Sequence, residues 1–165
     1  MARRIFYSFH YDADSSRASQ VRNMGVIEGN RPATDNDWEV VKRGGDPAIE
    51  RWIKSQLDGT SCCVVLIGAS TAGRKWISYE ISEAWNQGMG VVGVHIHNLK
   101  NLDGDQSLRG PNPFDHVTLK ASGRPLSSIV RSYESPSVDS KQAYAFIKNN
   151  LEQWIEEAIR IRAAK

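Results

Sequence analysis

The sequence predicts a three-layer α/β domain: a mostly parallel sheet with helices on both faces. Three observations carry this expectation. Two short apolar runs, Cys62–Gly68 and Gly90–Ile96, have the uninterrupted hydrophobicity of strands buried on both faces. Helical patterns alternate with the strand patterns. The 165 residues suit one domain, expected to span 1–165, with 40% apolar and 24% charged residues arguing for a packed core over disorder.

The elements follow in order. Arg4–Phe9 is rich in β-branched and aromatic residues and reads as the first strand. His10–Asp14 is a polar turn leading to a weakly patterned helix from about Ser15 to Asn23. Met24–Ile27 reads as a short second strand. Residues 28–45 read as a long loop that holds Trp38, and long loops inside compact domains are often functional. Asp46-Pro47 starts a helix, with Asp46 as the capping acid and proline first inside; Ile49, Ile53 and Leu57 form its apolar face. After Cys62–Gly68, a small-residue loop leads to a helix from Lys75 to Asn86, with Ile77, Ile81, Ala84 and Trp85 as its buried stripe and Gly88 closing it. Residues 98–125 read as a polar surface excursion, a short strand is expected near Ser127–Val130, and a long amphipathic helix covers about Ser140–Arg162.

The charge balance, 21 basic against 19 acidic residues, gives +2 with no polybasic run and does not suggest a nucleic-acid binder. No stretch is long and apolar enough to span a membrane, and the opening residues do not read as a signal peptide, so a cytoplasmic protein is expected. Adjacent Cys62 and Cys63 cannot bridge without strain and would point to opposite faces of a strand, as buried thiols. Neither they nor the four histidines have zinc-like spacing, so no metal is expected.

Ligands of open parallel sheets bind beyond the carboxyl ends of the strands. Three segments qualify: Ser8–Tyr11, Gly68–Gly73 and His95–Asn98. Gly68–Gly73 has the placement of a phosphate loop but not its motif, and reads better as a structural turn. His95 and His97 would share one strand face, for packing or hydrogen bonding rather than metal. Trp76 and Glu80, four apart, share a helix face expected to lie off the Ile77, Ile81 and Ala84 stripe. There an indole offers a stacking surface, and a carboxylate accepts two sugar hydroxyls or stabilises positive charge on a sugar carbon. Spacing alone favours an ordinary exposed glutamate beside a packed tryptophan.

Arg4–Asp12 resembles the opening strand of TIR domains. Leu66–Thr71 followed by Arg74–Ile81 resembles their segment with the W-x-x-x-E motif, and Val91–Ile96 their next strand. More closely, the chain is similar to the TIR-like proteins of bacterial Thoeris anti-phage systems, well over residues 3–100 and in outline beyond. The resemblance implies a flavodoxin-like fold, with residues 28–45 in place of the TIR BB loop. It implies an enzyme that cleaves the nicotinamide–ribose bond of NAD+ and produces a cyclic or related ADP-ribose signal. Glu80 matches the catalytic glutamate of the motif. Substrate contacts would fall to Ser8, Phe9, His10, Trp76 and Trp38. NAD+ would be substrate, with no separate cofactor. The implied partners are an effector protein reached through the nucleotide messenger and a phage-derived trigger, with room for a homo-oligomer. The rival expectation is a non-catalytic TIR scaffold working through protein assembly. A phosphoacceptor receiver domain is disfavoured, because no aspartate stands at the ends of the central strands.

Overall fold

The computed structural model describes residues 4–24, the backbone of 34–35, and residues 44–165. Five parallel strands form one sheet in the order β2-β1-β3-β4-β5: β1 Ile5–Ser8, β2 Thr34–Asp35, β3 Cys62–Ile67, β4 Gly90–His95 and β5 Ser132–Tyr133. The helices are α1 Tyr11–Arg22, α2 Asp46–Leu57, α3 Lys75–Asn86 and α4 Ser140–Ala163, with 3₁₀ turns at Pro113–His116 and Leu126–Ser128. This order is the flavodoxin-like one, whose topological switch lies between β1 and β3.

Strand alternation splits the core in two. Ile5, Tyr7, Cys62, Val64, Leu66, Val92 and Val94 face α1 and α4. Phe6, Cys63, Val65, Ile67 and Val91 face α2 and α3. The two thiols are free, buried and on opposite faces, as their adjacency on a strand requires. β3 and β4 are buried along their whole length, because helices cover both sides.

Several sequence expectations shift. The second strand is the two-residue pair Thr34–Asp35, alongside Phe6 and Tyr7, inside the segment expected to be all loop. Met24 lies in a turn, and Gly25–Ile27 and Trp38 lie outside the described residues. α1 begins four residues early, because His10 caps it, its Nδ1 accepting from the Ala13 N–H. Gly45 is the cap of α2, and Asp46 is its first helical residue, with no side-chain capping bond. Near Ser127 the chain forms a 3₁₀ turn, and β5 follows at Ser132.

Contact between β4 and α4 sets a strict size limit. A Cβ added at Gly90 would stand 2.7 Å from the Ile159 nitrogen and 2.8 Å from the Ala158 carbonyl carbon. These are backbone atoms of a long helix that cannot rotate away. Gly90→Ala is therefore expected to lower stability by about 1–3 kcal/mol, read as a lower denaturant midpoint at unchanged slope.

Candidate active site at the carboxyl edge of the sheet

Ser8 is the last residue of β1, and by alternation it shares the Phe6 face, toward α3. Glu80 comes from the second turn of α3. Both residues are fully buried. The Ser8 hydroxyl donates to Glu80 Oε1 at 2.5 Å. Cys63 of β3 feels the same carboxylate: burial pushes its thiol well up, and Glu80 and then Cys62 add to the rise. The carboxylate thus lies against β1 and β3, on the two sides of the topological switch.

Glu80 does not lie off the buried stripe of α3. It is buried together with Ile77, Ile81 and Ala84. Helix geometry explains this: residue 80 is three from Ile77 and four from Ala84, so it belongs to their face. Trp76 sits on the flank, half-buried. Its ring meets Tyr79 edge-on at 5.6 Å, and the Lys75 ammonium lies 4.9 Å above it while pairing with Asp46. Trp76 lines a pocket of about 460 Å³ with Glu50, Tyr79, Ser82 and His116, and Glu80 does not line that pocket. Phe9 is buried and stacks on Tyr11 at 6.0 Å, and His10 is half-buried at the start of α1. The structure therefore brings Ser8 and Glu80 into contact, sets Phe9 and His10 next along the chain, and turns Trp76 toward another cavity.

The Gly68–Gly73 loop is a structural turn. Its first N–H, of Gly68, donates to the buried Thr71 hydroxyl at 2.8 Å. A phosphate cradle would need such N–H groups turned outward.

A charged clamp that the sequence reading missed closes this edge. Asp14 and Arg17 of α1 are 2% and 4% exposed and pair at 3.1 Å. Arg17 also donates from Nε to the Leu99 carbonyl and from Nη2 to the Asp105 carbonyl, both at 2.8 Å. It thereby straps the segment after β4 onto α1. Gly68 and Gly110 lie beneath this strap. A Cβ on Gly68 would fall 2.1 Å from Asp14 Oδ2, and one on Gly110 2.1 Å from the Gly68 carbonyl oxygen. Burial pushes the Asp14 carboxyl up, with Arg17 holding it down. The available signal was the weak pattern of α1 itself. Its inner stripe is Asp14, Arg17, Ala18 and Val21, with helical spacing but two charges where apolar residues were sought.

His95 ends β4 and His97 follows two residues on, their rings 5.7 Å apart and each residue 6% exposed. His97 Nε2 lies 3.5 Å from Glu134, which accepts from Arg109 at 2.8 Å. Burial lowers the His95 pKa to about 4 and lowers that of His97 as well. Among the described residues, no group of three or more His, Cys, Asp or Glu side chains is placed to hold a metal ion. No helix among them is long and apolar enough to cross a membrane.

Two measurements test this edge. Arg17→Met leaves Asp14 buried without its cation, and a loss of about 3–5 kcal/mol is expected in chemical denaturation. His95 binds its proton near pH 6.5 when unfolded and near pH 4 when folded. Its contribution is complete above pH 6.5 and is lost as pH falls through 4. The wild-type stability advantage over His95→Gln should shrink across that window, by on the order of 3 kcal/mol at most.

The model of the Thoeris protein ThsB TIR-like domain matches residues 6–101, from β1 through the end of β4. A protein of Bacillus cereus (strain MSX-D12) with the name "Putative cyclic ADP-D-ribose synthase ThsB1" is 39% identical over 122 residues, or 71% of this chain. The chain spans 64% of the length of that relative. The matched stretch carries Ser8, Asp14, Arg17, Glu80 and both edge histidines. On this match, and on a five-stranded parallel sheet with a buried glutamate at its switch point, the chain belongs to the Thoeris ThsB TIR-like domain family.

Proposed function

We propose that this chain is an NAD+-processing enzyme of anti-phage signalling. It cleaves the nicotinamide–ribose bond and releases a cyclic or related ADP-ribose product that activates a separate effector. The observation that carries the reading is the Glu80 carboxylate, fully buried at the carboxyl edge between β1 and β3 and held by the Ser8 hydroxyl. The cyclic ADP-D-ribose synthase named for the Bacillus relative supports the same chemistry.

The chemistry makes modest demands. In NAD+ the nicotinamide is a cationic leaving group. When the ribose C1′–N1 bond breaks, its electron pair passes to the pyridine ring and cancels that charge, so no acid is required. Positive charge then spreads over the ribosyl carbon and ring oxygen, as in glycoside transfer. A preorganised carboxylate in a water-poor site stabilises that charge more strongly than one in bulk water. Ser8 closes the β1 side of this site through its bond to Glu80, and Phe9 and His10 follow it along the chain. A hydroxyl of the same molecule, losing its proton to solvent, or an adenine ring nitrogen, through its lone pair, then attacks the ribosyl carbon and closes the cycle; holding it near in place of water favours cyclisation over hydrolysis.

Glu80→Gln keeps the shape of the side chain and removes its charge. Cells expressing wild type or Glu80→Gln, infected with phage, are compared by mass spectrometry of their nucleotides. Loss of the ADP-ribose product by about 100-fold or more is expected in the variant. Equal product in both would overturn the role of Glu80. Retained protection with no product from either would favour the scaffold reading.

A further inference from the structure

We infer that Ser8 is a positioning residue for Glu80, serving the reaction through that carboxylate rather than by gripping the substrate. The inference rests on the NAD+-cleaving reading of Glu80. Four observations lead to it. Ser8 and Glu80 are both fully buried, so the pair is shielded from the water that would otherwise compete for the bond. The Ser8 hydroxyl lies 2.5 Å from Glu80 Oε1. Ser8 closes a strand whose register with β3 pairs it with Val65, so its Cα cannot drift. The alternation of β1 points residue 8 toward α3 and residues 7 and 9 toward the opposite core.

A carboxylate at the end of a flexible side chain has three rotatable bonds to fix. Anchoring one oxygen to a rigid strand sets the plane of the group and the direction of the other oxygen. The rotational entropy of the side chain is thus lost on folding rather than at the moment of reaction. A residue at position 8 without a donor would take this bond away from a buried acceptor.

The test compares wild type, Ser8→Ala, Ser8→Thr, Glu80→Gln and the Ser8→Ala/Glu80→Gln double variant. For NAD+ cleavage, Ser8→Ala should lower kcat by about 10- to 100-fold with KM within about twofold. Ser8→Thr keeps the donor on a residue suited to a strand and should restore most of the loss. In the Glu80→Gln background, Ser8→Ala should change the residual turnover by less than about twofold. A raised KM at unchanged kcat, or losses that simply multiply in the double variant, would overturn the proposal. Equilibrium unfolding of Ser8→Ala, Glu80→Gln, the double variant and wild type reads the bond without turnover. Non-additive stabilities support the pair, and additive ones sink it. Equal turnover by wild type and Glu80→Gln with the stability coupling intact would reject Glu80 as the carboxylate of NAD+ cleavage, and with it this proposal, and leave only the bond standing.

Discussion

A carboxylate removed from water must find donors, and at Glu80 this requirement organises the functional edge of the molecule. The strand that supplies the donor must end at Ser8, with residue 8 on the α3 side. β3 runs beside the group, and its Cys63 thiol is pushed up by burial first and by Glu80 next. α3 must present Glu80 on the stripe that packs against the sheet, between Ile77 and Ala84. Each condition concerns the register or rotation of an element whose remaining contacts are apolar and would tolerate small slips. The polar pair makes those slips costly, because a buried acceptor left unmet loses its full desolvation cost.

The same economy recurs around it. Asp14 and Arg17 replace two apolar positions on the inner stripe of α1, and Arg17 uses its donors to hold backbone carbonyls of the segment after β4. His95 and His97 are buried at the end of β4 with Glu134 and Arg109 beside them. The ends of β1 and β4 therefore carry buried polar groups, Ser8 and His95, whereas β3 between them is apolar to its last residue, Ile67. Such placement suits a parallel sheet, whose interior has to be apolar on both faces and whose carboxyl edge is free to carry chemistry.

Much of the fold was legible in the sequence because its signals were local. The apolar runs at 62–68 and 90–96 and the spacing of Ile49, Ile53 and Leu57 gave strands and a helix within a residue or two of their observed bounds. α3 matched from Lys75 to Asn86. Misplacements came where distant partners decide the structure. A two-residue strand at Thr34–Asp35 has no periodicity to read and is defined by β1 alongside it. β5 is equally short and depends on β4. At the candidate site, the W-x-x-x-E resemblance picks out Glu80, while a stripe read from apolar residues alone leaves this buried charge off the inner face of α3. α1 looked weakly patterned for a related reason: its inward residues include a salt bridge, which hydrophobic periodicity counts as surface.

The strap on α1 also bears on how the molecule assembles. Arg17 finds its acceptors at Leu99 and Asp105, 82 and 88 residues further along the chain. Until β4 has joined the sheet, the guanidinium has only Asp14 and water to satisfy it. Contacts this far apart in sequence form late, because closing a long loop costs entropy before any contact repays it. The first helix of the chain therefore reaches its final surroundings among the last. The carboxyl edge of the sheet takes shape only after its central strands have already paired.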